Sequence, residues 1–114
     1  LGANWATSLT LDVNMRIGGL DVPRGAYTLF LLPRDNGGEL IVNRQTRQWG
    51  TDYDRSLDLG RTSLRHRSLS ETVQSLVVTL EPLVSQEAGD LPSGTLRITW
   101  GKVEFATDWH IIWP

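Results

Sequence analysis

The chain has 114 residues, with eleven Lys and Arg against thirteen Asp and Glu, a net charge of −2 and no cysteine. That length fits one domain, and it allows a real core without metals or cross-links. The missing cysteines exclude a disulfide framework, a thiolate zinc site and a thiol nucleophile. Ten of the basic residues are arginine, but they are scattered, so the focused basic stripe that phosphate backbones require is absent and nucleic acid is not an expected partner. The longest apolar run, Leu29 to Leu32, is far too short for a transmembrane segment. The sequence opens at Leu1 rather than Met, as a processed chain or an excised piece does.

Apolar and polar residues alternate at period two along most of the chain, the mark of half-buried strands. Trp5, Thr7, Leu9, Leu11 and Val13 fall on one face of a first strand. Met15 and Ile17 flank Arg16 in a second, closed by Gly18-Gly19, a pair suited to a tight reversal. Val22-Pro23-Arg24-Gly25 reads as a type I turn. The strand that follows, Ala26 to Leu32, is apolar on both faces and so belongs inside a sheet, with Pro33 expected to end it. Asp35-Asn36-Gly37-Gly38 is a strong reversal signal, and Leu40 to Asn43 returns as the hairpin partner.

Arg44 to Asp58 is polar and without a clean period. Leu59 to Leu64 reads as a short strand, and Ser68-Leu69-Ser70-Glu71 as a capping box with room for one turn, kept as a loop or single turn. Two alternating stretches follow, on Leu76, Val78 and Leu80 and on Leu96, Ile98 and Trp100. Gly101 turns into the most regular strand, where Val103, Phe105, Thr107, Trp109, Ile111 and Trp113 share one face and Glu104, Asp108 and His110 the other. The expectation is a single all-β domain over 1–114, an antiparallel β-sandwich or flattened barrel of about seven or eight strands. Tyr27, Leu29 and Leu31 should pack in its core with Leu9, Leu11, Leu96 and Ile98.

Three segments together resemble a bacterial family, domain of unknown function 2911 (DUF2911): Gly2-Ala3-Asn4 with Ala6-Thr7, Val22 to Pro33, and Asn43 to Asp54. The third is the most specific, through Asn43, Thr46, Gln48-Trp49-Gly50-Thr51 and Tyr53-Asp54. The resemblance covers roughly the first half of the chain and fades after Asp58. It implies an exported, periplasmic or secreted protein, with residues upstream that lead into the Gly-Ala-Asn segment and that this sequence lacks. It implies no activity and no catalytic residues. The aromatic C-terminal strand, ending Trp109-His110-Ile111-Ile112-Trp113, departs from the family pattern.

Catalytic sets are hard to assemble from these residues. His66 lies between Arg65 and Arg67, His110 on the polar face of its strand, and both read as surface histidines. Asp52, Asp54 and Asp58 fail the EF-hand pattern, which needs Gly where Leu57 stands and Glu where Ser63 stands. No metal and no cofactor are therefore expected. The loop from Asn43 to Tyr53 is the candidate binding surface, because Trp49 and Tyr53 stand among Asn43, Arg44, Arg47 and Asp52. Such a mixture stacks a sugar ring or a peptide while bonding its polar rim. The competing reading has the two aromatics buried to pin the loop down, and Trp100, Trp109 and Trp113 read as core. Three roles follow: a noncatalytic binding or structural domain of the envelope with a glycan or peptide ligand, a hydrolase acting on an envelope polymer, and a scaffold or oligomerisation module. An upstream segment absent from beside the first strand would leave a bare edge open to a homodimer.

Overall fold

The computed structural model describes residues 5–35, 37–45, 54–83 and 91–112. Its strands are β1 (Trp5–Leu11), β2 (Met15–Ile17), β3 (Leu20–Val22), β4 (Gly25–Arg34), β5 (Gly37–Asn43), β6 (Asp58–Leu83) and β7 (Ser93–Ile111). A turn of 3-10 helix at Arg55–Leu57 precedes β6. Every pairing is antiparallel, and the order is β1-β4-β5-β6-β7-β2-β3. The sheet is all-β as expected, and it stays open, with β1 and β3 at its two ends.

The open sheet folds over on itself because its two longest strands bend. β6 pairs with β5 through Asp58 to Leu64, then with β7 from Arg65 onward. Between Ser68 and Val73 it advances five residues while β7 advances two, from Val103 to Gly101; between Val73 and Val77 it advances four against two. Extra residues on one strand of a pair curl that pair. On β7 the bend falls at Gly101, whose φ of +62° suits glycine. The fold brings β3 over the start of β6, where Leu20 packs on Gly60; a Cβ at Gly60 would come within 2.6 Å of the Leu20 side chain.

Between the layers lie Leu11, Met15, Ile17, Val22, Tyr27, Leu29, Leu31, Leu40, Val42, Leu64, Leu96, Ile98, Phe105 and Trp109, with Leu9 packed against them. The alternation in β1, β4 and β7 thus points inward as read from sequence. β4 is an interior strand, between β1 and β5, and is buried on both faces: Phe30 pairs with Ile41 on the face away from this core, and both are buried.

Several expectations are corrected. Pro33 does not end its strand, which runs to Arg34. Pro33 pairs with Gly38 of β5, and among the described residues it has a strand neighbour on that side only, where a proline is tolerated as on an edge. The first strand stops at Leu11, leaving Val13 exposed. The segment 68–71 is neither loop nor helical turn but the bulged middle of β6, since one isolated turn cannot compete with a strand partner supplied by β7. Trp100 is 49% exposed, beside the bend and past Ile98, the last core residue of that leg. Trp113 lies outside the described residues.

Candidate functional site

Of the residues proposed for binding, Asn43 and Arg44 are described, whereas Arg47, Trp49, Asp52 and Tyr53 lie outside the described residues. What the structure shows is the base on which that loop stands. Asn43 ends β5 and is fully buried. Its Nδ2 donates to the Asp54 carbonyl (2.9 Å) and to Asp58 Oδ1 (2.8 Å), and its Oδ1 accepts from the Gln45 amide (2.7 Å). One side chain thereby ties the departing strand to both residues through which the chain returns.

Further bonds complete the base. Gln45 Oε1 accepts from the Asp54 amide (2.7 Å), and the Gln45 carbonyl accepts from Thr28 Oγ1 (2.7 Å), the cross-strand partner of Asn43. The Arg44 amide donates to the Leu57 carbonyl (2.8 Å). Asp54 caps the 3-10 turn, its carboxylate accepting from the Ser56 amide and hydroxyl. Such reciprocal pairing satisfies the buried polar groups that a loop leaving a sheet would otherwise strand. Arg44 is exposed beside this base.

The geometry assigns new roles to residues the sequence had grouped otherwise. Asn43 is an internal anchor: both ends of its amide are engaged and none of it faces solvent. Asp54 and Asp58, two of the three carboxylates considered for a cation, are committed to the cap and to Asn43. Among the described residues no three His, Cys, Asp or Glu side chains gather closely enough to hold a metal ion. Gln45 and Thr28 were not singled out from sequence, because a polar residue's partner across a fold leaves no local pattern.

A second feature is an open hollow of about 370 Å³ beside β6 and β7, lined in part by Glu81, Pro82, Asp108, Trp109 and His110. Its two carboxylates are each paired with an arginine, Glu81 with Arg97 (2.8 Å) and Asp108 with Arg65 (3.2 Å), and both are exposed. The Trp109 Nε1 is buried and has no hydrogen-bond partner among the described residues. Among the described residues no helix is long and apolar enough to cross a membrane.

These features define an open, doubled-over antiparallel β-sheet protein in which hydrogen bonds tie the end of β5 to the segment that leads into β6. The chain belongs to the DUF2911 family, described as a protein of unknown function, whose model matches residues 1–108. The match runs well past Asp58, where the recognisable motifs fade. No curated protein matches the chain. No solved structure matches it either.

Proposed function

We propose that this protein is a noncatalytic binding domain of the bacterial cell envelope that takes a glycan or peptide on the loop between Asn43 and Asp58. The observation supporting it is the closed set of bonds joining Thr28, Asn43, Gln45, Asp54 and Asp58 at the loop's base. Adjacent antiparallel strands need only about two to five connecting residues, yet fourteen, 44 to 57, separate β5 from β6. A long excursion with clamped ends is how Ω-loops are built, and these frequently carry function. On this proposal Trp49 and Tyr53 supply the stacking faces, with Arg44, Arg47 and Asp52 as polar contributors and Asn43 as the anchor of the base. Export to the periplasm or medium is part of the same proposal and rests on the family resemblance.

The test is a thermal-shift screen across glycan fragments, short peptides and divalent cations, since a ligand of the native state raises its melting temperature. Trp49→Ala should then abolish the shift while barely moving the unliganded Tm. A variant that instead loses roughly 3–5 kcal/mol, the cost of emptying a buried aromatic site, overturns the loop as a ligand platform.

One observation favours a second reading, self-association. Among the described residues β1 ends the sheet, and its sequence Trp-Ala-Thr-Ser-Leu-Thr-Leu contains no charge and no Pro, the usual protections of an edge. β3, at the other end, has three residues including Asp21 and lies against β6. On this reading two copies pair through β1, sedimentation equilibrium detects a dimer, and Ser8→Lys dissolves it. A monomer at high concentration refutes it.

A further inference from the structure

On β6, Arg65 and Arg67 are two residues apart and so share a face. Opposite them on β7 stand Ala106 and Glu104. The bend at Gly101 brings Arg97, from the first leg of β7, to the same Glu104, whose carboxylate accepts from both Arg67 Nη2 and Arg97 Nη1. Glu104 is 5% exposed. Burial pushes its carboxyl up, but the hydrogen bonds and charges of Arg67 and Arg97 outweigh that and hold it below the ordinary glutamate range. The hydrogen bonds that Arg97 donates to Glu81 and Glu104 keep it more firmly charged than usual.

Glu104 thus acts as a fixed spacer between two guanidiniums. Beside it is a hollow of about 260 Å³, lined by Arg65, His66, Arg67, Arg97, Glu104 and Ala106. Ala106, the cross-strand partner of Arg65, is the smallest of these residues. Three guanidiniums against one carboxylate leave two positive charges on these walls. The other carboxylates nearby, Asp108 and Glu81, do not line the hollow and belong to pairs whose side chains are 36–74% exposed. Exposed pairs of that kind are weak, so an entering anion meets little competition from them. Among the described residues, the bonds of Arg65 and Arg67 each engage one nitrogen, Nη2, of a guanidinium that offers five N–H donors.

We propose that this hollow binds a small oxyanion, a carboxylate or phosphate group, through Arg65, Arg67 and Arg97. Planar guanidiniums match both groups in bidentate geometry. The volume is below the roughly 300–1,000 Å³ of a drug-sized ligand pocket, which suits one anionic group at the end or side of a larger molecule. The site is independent of the loop: Arg65 lies seven residues beyond Asp58 along β6, and none of the loop's base residues lines the hollow.

The test follows the arginine Nε–H resonances by NMR while the protein is titrated with inorganic phosphate, methyl glucuronate, N-acetylglutamate and, as a neutral control, methyl glucoside. The expected result is a saturable, concerted shift of Arg65, Arg67 and Arg97 with at least one anion and none with methyl glucoside. The tightest of the three identifies the source of the group. Arg65→Gln, whose partner is the exposed Asp108, should fold normally and weaken binding about tenfold, the loss of one charge-assisted contact. Arg67→Gln should weaken it at least as much. No saturable shift up to about 50 mM anion, an equal response to methyl glucoside, or unchanged affinity in Arg65→Gln overturns the site.

Discussion

Replacing Asn43 with Ala would remove three hydrogen bonds at once, those to Asp54, Asp58 and Gln45. A neutral bond contributes about 0.5–1.5 kcal/mol net, and a buried group left unpaired costs about 1–3 kcal/mol. Asp54 is exposed and Gln45 half-buried, so water recovers part of the loss there. The Asp58 side chain is 14% exposed and is less easily resolvated. The expected destabilisation is about 3 kcal/mol, or roughly 10 °C in Tm for a domain of this size. Urea denaturation followed by tryptophan fluorescence measures it, and hydrogen exchange should show lost protection at the Arg44, Gln45 and Asp54 amides. Asn43→Asp is the sharper variant, because it sets a second carboxylate against Asp58. One of the two then has a raised folded pKa, so the folded state binds more protons and stability rises as pH falls. A loss below about 1 kcal/mol in Asn43→Ala, under the worth of one such bond, or no recovery of Asn43→Asp on acidification, refutes the clamp.

Glu104 has a lowered folded pKa, so the stability it supplies is full above the ordinary glutamate value of about 4.3 and is lost as pH falls through the folded value. Acid titration of unfolding free energy should therefore be shallower in Glu104→Gln than in the parent, and equal slopes would contradict the arginine clasp. Gly37→Ala should cost about 2–3 kcal/mol in chemical denaturation, comparable to other strained backbone sites, because φ is +137° and a Cβ would lie 2.6 Å from the Leu64 carbonyl oxygen; a neutral effect would mean the β4–β5 turn relaxes freely. Trp109→Ala should lose about 3–5 kcal/mol as a buried aromatic, whereas Trp100→Ala, half exposed, should lose under about 1 kcal/mol. Similar losses for the two tryptophans would place the core wrongly.

The inward faces of β1, β4 and β7 were legible because a strand's burial is written at period two, and Leu11, Leu29, Leu31, Leu96 and Ile98 all obey it. The continuity of β6 was not. Its bulges near Ser68 to Val77 scramble the alternation, so one 26-residue strand looks like a short strand and a separate alternating stretch on either side of a capping box. Trp100 misleads for a related reason: period two assigns a face, but whether that face is covered depends on where the opposite layer ends. Glu104 is the converse case. Its polar face is buried, because the bend at Gly101 brings Arg97 across it, and a bend of that kind is invisible to periodicity.

The same reasoning separates two kinds of site in this chain. The loop could be nominated from sequence, since Trp49 and Tyr53 break the strand pattern and composition alone marks them. Its base could not, because Thr28, Asn43, Gln45 and Asp58 become partners only when β4, β5 and β6 align. The arginine hollow needed still more: Arg65 and Arg67 are ordinary exposed residues until β7 doubles back and places Arg97 and Glu104 beside them. Scattered arginines in a chain of net charge −2 argue against a long basic stripe for nucleic acid. They say nothing about a focused cluster, because concentrating charge locally requires only a fold that gathers distant residues.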